Sequence, residues 1–218
     1  MFNISNLKYT YKENEIKNDY NFSLNVKQSE IVGIIGQSGS GKSTLLDLLA
    51  GFLAPISGNI TFNDIDITTL NTENRPLTIL FQKYNTFEHL SVIKNVLLGI
   101  NTSFKVKEEE IKEAMIILKE VGLDGFEDKL ASTLSGGQSQ RVALARCLIR
   151  KKPILLLDEP FTGLDSNTKE KMLELVKEIT EKLKLYTIMV THDLSDCEKI
   201  ANRVYKVENG KTSIFKFV

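Results

Sequence analysis

The sequence predicts an α/β protein: a mixed, mainly parallel sheet covered by helices, with an antiparallel β subdomain and an inserted α-helical subdomain. Three observations point there. Short apolar runs at Ile31–Ile35, Ile154–Leu157 and Thr187–Val190 suit buried strands, and an amphipathic helix (Met172, Leu173, Leu175, Val176, Ile179, Leu183) separates the last two. Alternation at Tyr20, Phe22, Leu24 and Val26 marks a half-buried strand, and Asn209-Gly210 is a strong hairpin signal in the tail. From Lys83 to Arg150 only helical periodicity is visible.

In chain order, 1–82 and 151–218 make the α/β core, and 83–150 the helical subdomain, of one domain spanning 1–218. The Ile31–Ile35 run gives way to glycines, as a buried strand does when it ends in a loop. Ser43 to Ala50 reads as a helix closed by Gly51. In the insert, Ile111, Ala114, Met115, Leu118 and Val121 form one stripe behind Glu108-Glu109-Glu110, acids that favour a helix N-terminus. Val142 to Ile149 is a second apolar helix. Tyr205 and Val207 face Ile214, Phe215 and Phe217 across the Asn-Gly turn.

With 42% hydrophobic and 26% charged residues in 218, collagen-like, disordered and disulfide-scaffold classes are excluded. Lys+Arg 28 balance Asp+Glu 28, which argues against a nucleic-acid partner. Cys147 and Cys197 stand far apart, and His89 and His192 are the only histidines, so no zinc set assembles. The apolar runs fall short of the ~18–20 residues a membrane span needs. Met1–Asn6 has neither the basic flank nor the apolar run of a signal peptide. Any service to a membrane is therefore expected through partners.

Gly36-Gln37-Ser38-Gly39-Ser40-Gly41-Lys42-Ser43 matches G-x-x-x-x-G-K-[ST] between a strand and a helix, as a phosphate-binding loop requires. Glycines let successive N–H groups turn toward phosphate oxygens, and the helix N-terminus adds its dipole. Lys42 supplies a mobile charge for the β/γ-phosphates, and Ser43 offers a hard oxygen to Mg²⁺. The loop alone says only that a nucleoside triphosphate binds.

The run Ile154–Leu157 ends in Asp158-Glu159-Pro160. Carboxylates at the C-terminal edge of a parallel sheet lie where such sheets bind ligands. Asp158 suits Mg²⁺, and Glu159 suits polarisation of an attacking water. Neighbouring strand residues point oppositely, so both roles require the strand to end between them, and Pro160 supports that ending.

Leu134-Ser135-Gly136-Gly137-Gln138 before an apolar helix is a second anion site in kind, with small residues baring N–H groups at a helix start. One triphosphate needs only one such site, whereas a head-to-tail pair of chains uses both. Here the sequence resembles the nucleotide-binding subunit of ABC transporters over nearly its whole length. The resemblance implies a phosphate-loop ABC-type ATPase fold, ATP and Mg²⁺ as ligands, and hydrolysis at a homodimer interface. It implies nucleotide contacts from Gly36 through Ser43 and Thr44, and from Ser135, Gly136, Gly137 and Gln138 across the dimer.

Leu80-Phe81-Gln82 resembles the Q-loop, with Gln82 reaching metal and γ-phosphate. Gly163-Leu164-Asp165 resembles the D-loop, and Thr191-His192-Asp193 the switch histidine. For the aromatic that stacks on adenine, Tyr11 and Tyr9 compete, and motif spacing favours Tyr11. Lys12–Asp19 reads as an insertion, and Ser29 stands where the family often has Gly. His89 is expected at a surface or subunit contact.

Implied partners are membrane-spanning permease subunits docking beside Gln82, and a solute-binding protein, at the cytoplasmic face of the inner membrane. Gly51-Phe52-Leu53, Arg75-Pro76 and Phe87–Val92 resemble bacterial importer ATPases, the thiamine and ferric-iron groups above all. Exporter ATPases of the lipoprotein or macrolide type are the rival reading, and a soluble non-transport ATPase a weaker one.

Overall fold

The computed structural model describes residues 1–11, 18–82, 86–101 and 105–216. The expected boundary at Lys83, most of the Lys12–Asp19 insertion and Phe217 lie outside the described residues.

The strands are β1 (Phe2–Tyr11), β2 (Asn18–Val26), β3 (Glu30–Ile35), β4 (Ser57–Phe62), β5 (Ile65–Asp66), β6 (Leu77–Leu80), β7 (Ile154–Asp158), β8 (Tyr186–Val190), β9 (Arg203–Glu208) and β10 (Lys211–Phe215). They join one ten-stranded sheet in the order β5-β4-β1-β2-β10-β9-β3-β8-β7-β6. The β9-β3-β8-β7-β6 section is parallel, whereas β5-β4-β1-β2 is antiparallel. The two meet where β10 touches β2 at Lys211 and Asn21. Asn209 and Gly210 turn β9 into β10 with φ of 49° and 71°, the left-handed pair that a two-residue hairpin requires. Ser29, at φ 58°, fills a left-handed turn position with no glycine.

The helices are α1 (Lys42–Ala50), α2 (Val92–Leu97), α3 (Glu108–Glu120), α4 (Gly136–Leu148), α5 (Ser166–Lys182) and α6 (Leu194–Ile200). Alternate residues of the parallel strands face two apolar layers. Val32, Ile34, Leu156, Ile188 and Val190 pack toward α1 and the antiparallel strands. Ile31, Leu155, Leu157 and Met189 face the other helices, whose buried residues, those of α2, α3 and α4 included, share one cluster with them. Among the described residues no helix is long and apolar enough to cross a membrane.

Two expectations need correction. The α3 stripe is narrower than its periodicity suggests. Ala114, Leu118 and Val121 are buried, whereas Ile111 and Met115 are 37% and 47% exposed. The helix meets its neighbours along an i, i+4, i+7 seam, and positions 111 and 115 fall at its edge. The fourth helix also starts earlier than Val142, at Gly136, because Ser135 caps it.

Arg75 is only 2% exposed and fixes the far end of α1. It donates to the carbonyls of Leu48 (2.7 Å) and Leu49 (2.6 Å), and to those of Thr68 (2.7 Å) and Leu70 (3.0 Å). A Cβ on Gly51 would lie 2.7 Å from its Nε, so only glycine leaves room for the guanidinium. Residues 51 and 75, two separate features of the sequence, are one contact in space.

Candidate functional site

The loop Gly36–Gly41 links β3 to α1. Gly41 has φ 109°, and a Cβ there would lie 2.4 Å from the Tyr20 ring, so the loop closes down on that aromatic. Lys42 is 7% exposed, and its Nζ donates to the carbonyls of Gly36 (2.8 Å) and Gln37 (3.0 Å). Its charge is thus held at the mouth of the loop. Ser38, Gly39, Gly41, Lys42, Ser43 and Thr44 line a cleft of about 400 Å³ together with Tyr20, Glu159 and His192. That volume falls in the range of small-ligand sites. Gln37 and Ser40 line a second cleft on the hairpin side of the loop, and Ser40 N–H donates to Gln37 O at 3.2 Å.

β7 ends at Asp158, and Glu159 follows at φ 43°, a left-handed conformation that is costly for a non-glycine residue and marks functional turns. Its N–H donates to Val190 O at 2.9 Å. Glu159 Oε2 accepts from Gln82 Nε2 (3.3 Å), lies 3.1 Å from His192 Nδ1, and meets Thr162 Oγ1 at 3.5 Å. Three separate loops thus converge on one carboxylate. Asp158 behaves differently. Burial pushes its carboxyl pKa up, and the negative charges of Glu159 and Asp47 add to this against Lys42. Asp47, on α1, is itself raised by burial.

Ser135, Gly136, Gly137 and Gln138 do not join this cleft. Ser135 Oγ accepts from Gln138 N at 3.4 Å, while Gln138 Oε1 accepts from Ser135 N at 2.9 Å, a reciprocal cap on α4. Gly136 lies against Leu164 and Gly137 against Thr168, which puts the segment beside the Gly163–Asp165 turn and the start of α5. Gln140, one turn along α4, donates its side-chain amide to the Pro160 carbonyl.

The Tyr11 hydroxyl lies 3.4 Å from Thr44 Oγ1, and its ring meets Tyr9 and Tyr20 edge-on, with centroids 4.9 Å and 5.9 Å away. His89 is exposed and edge-on to Phe87 at 6.2 Å.

Three contributors lie beyond the sequence motifs: Tyr20, Asp47 and Gln140. Tyr20 reads as an ordinary inward strand residue. Gln140 follows the Leu134–Gln138 segment closely enough to be suspected, and Asp47 sits one helical turn beyond the loop.

Among the described residues no group of three His, Cys, Asp or Glu could hold a metal ion. The donors near the loop are of another kind: the Ser43 hydroxyl, the Gln82 amide and the Asp158 carboxylate. Hard oxygens suit Mg²⁺, and the accumulation of negative charge around Asp158 fits a cation there.

A family model described as "ABC transporter" matches residues 20–162. The thiamine import ATP-binding protein ThiQ of Photobacterium profundum is 45% identical over 210 residues, 95% of this chain and 87% of that protein. ThiQ of Escherichia coli (strain UTI89 / UPEC) is 47% identical over 190 residues, 87% of this chain and 82% of that protein. Among solved structures, the ATP-binding cassette MJ0796, dimeric in a post-hydrolysis state bound to ADP and Pi, superposes with TM-score 0.82 at 33% identity, covering 99% of this chain and 98% of that one. A nucleotide-free cassette from an ABC transporter superposes with TM-score 0.90 at 24% identity, over 100% of this chain and 92% of that one, a likeness of fold.

Proposed function

The chain belongs to the ABC transporter family, and we propose that it is the ATPase subunit of a thiamine importer, working as a homodimer against permease subunits on the cytoplasmic face of the inner membrane. The observation that carries the ATPase reading is the convergence of Gln82, His192 and the left-handed Glu159 beside the Lys42 loop.

In this reading ATP lies on Lys42, Ser43 and Thr44, with adenine against Tyr11. Ser43, Gln82 and Asp158 would hold Mg²⁺, which would supply positive charge against the phosphates. Glu159 takes a proton from the attacking water, and His192, bonded to it, orients that carboxylate and contacts the γ-phosphate. Ser135, Gly136 and Gly137 do not line their own chain's cleft, which supports their use by a second copy in a two-fold, isologous pair. Gln138 serves that contact through the cap it gives Ser135.

We assign 83–150 as a helical subdomain carrying the Leu134–Gln138 segment, and the surface around Gln82 and Phe87 as the permease dock. A solute-binding protein would deliver the cargo. The names of the relatives favour thiamine over ferric iron, and import over export. Two assays test the proposal. The purified chain should hydrolyse Mg-ATP, and with its permease and binding protein in proteoliposomes it should drive accumulation of thiamine. Hydrolysis that drives uptake of ferric iron but not thiamine would refute the cargo, and absence of hydrolysis would refute the enzyme.

A further inference from the structure

His192 has a side chain that is 60% exposed, so packing does little to aim its ring. The turn beneath it is tightly built. Lys169, on the first turn of α5, places Nζ 2.5 Å from Asp193 Oδ2 and 2.6 Å from Asp196 Oδ1. Asp196 is 5% exposed. Its Oδ2 accepts from Thr191 Oγ1 (3.2 Å), and that hydroxyl accepts from Asp193 N (3.0 Å). Asp193 Oδ1 accepts from Ser195 N and Oγ at 3.0 and 2.7 Å, capping α6. The residues on both sides of His192 are therefore locked into one polar network whose only cation is Lys169, among the described residues.

We propose that Lys169 is a positioning residue for ATP hydrolysis, fixing the turn that aims His192 at Glu159 by clamping Asp193 and Asp196 to α5. The inference rests on the role given to His192 above. A lysine between two carboxylates, one of them buried, resists displacement better than an exposed pair, because its loss leaves a buried charge without compensation. The same helical turn carries Thr168, against which Gly137 packs. The clamp thus joins His192 to the helix against which the Leu134–Gln138 segment packs. Lys169 touches no substrate and acts on geometry alone.

The test is steady-state ATPase kinetics of Lys169→Met, Lys169→Arg, His192→Ala and the Lys169→Met/His192→Ala double variant. Misplacing a reacting group by about 1 Å can cost up to 10²-fold, so kcat should fall about 10-fold or more in Lys169→Met. KM for ATP should stay within about twofold, since the loop that binds ATP is untouched. Lys169→Arg should recover most of the rate. The double variant should be no slower than His192→Ala alone, because a residue acting through His192 has nothing left to position. Unchanged kcat in Lys169→Met, or additive losses in the double variant, overturns the proposal. If Lys169→Met does not fold, Asp193→Asn cuts the same clamp while keeping a good N-cap, and the same comparisons apply. Wild-type hydrolysis and its loss in His192→Ala report separately on the underlying function. If either fails, that reading fails first.

Discussion

His192 Nδ1 and Glu159 Oε2 lie 3.1 Å apart, although one follows β8 and the other follows β7. Adjacent parallel strands deliver both residues at their C-terminal ends, and the left-handed backbone at Glu159 turns its side chain toward the histidine.

Glu159→Gln keeps the shape and the contact with His192 but removes the basic oxygen. ATP hydrolysis should fall by about 10²-fold or more. Nucleotide affinity, measured by calorimetry, should be retained, and the ATP-bound dimer should persist on a sizing column. A wild-type rate in this variant refutes the base role.

Lys42→Ala removes a charge held by two loop carbonyls at the cleft. A charge-assisted hydrogen bond contributes about 1.5–3 kcal/mol, so Mg-ATP affinity should weaken about 10- to 100-fold. Equal Kd values for variant and wild type would count against this placement of the phosphates.

Ser135→Asp separates the two roles open to this residue. Aspartate caps a helix as well as serine does, so urea stability should stay within about 0.5 kcal/mol. Its charge opposes a γ-phosphate, so ATP should still bind each chain while dimerisation is lost in sedimentation. Normal ATP-dependent dimers would show that Ser135 only caps.

Arg75→Met should lower unfolding stability by about 3 kcal/mol, because four backbone carbonyls lose a buried donor. Denaturant melting checks this. A loss below about 0.5 kcal/mol would contradict the clamp on α1.

Asp193 has its carboxyl pKa held down to about 2, first by the hydrogen bond from Lys169 and then by that from Ser195. The folded value is below the ordinary aspartate value near ~3.9. The pair therefore adds stability that is fully present above that ordinary value and is lost as pH falls through about 2. In Lys169→Met the Asp193 carboxyl should titrate closer to the ordinary value by carbon NMR. An unchanged titration would deny the contact.

Local patterns carried most of the site. The Gly36–Ser43 loop, the Asp158-Glu159 pair and the Leu134–Gln138 segment are contiguous, so spacing alone reveals them, and Pro160 marks where β7 stops. Contacts between distant residues are not legible in this way. Nothing in the neighbourhood of Gly51 announces Arg75, and helix α5 gives Lys169 the look of a solvated charge. Periodicity also overreaches. It groups Ile111 and Met115 with Ala114 and Leu118, but it cannot tell how wide a seam the neighbouring helices cover. Ser135 and Gln138 spell a capping box as clearly as an anion site, and geometry is needed to see that the cap is made.

The proposed sharing of the site between two chains would make the rate depend on their encounter. The direct measurement is ATPase activity per chain across a dilution series, with the monomer–dimer balance followed by sedimentation in the same Mg-ATP buffer. Activity per chain should rise in step with the dimer fraction and vanish where only monomer remains. Full activity per chain at dilutions where the protein is monomeric would contradict it.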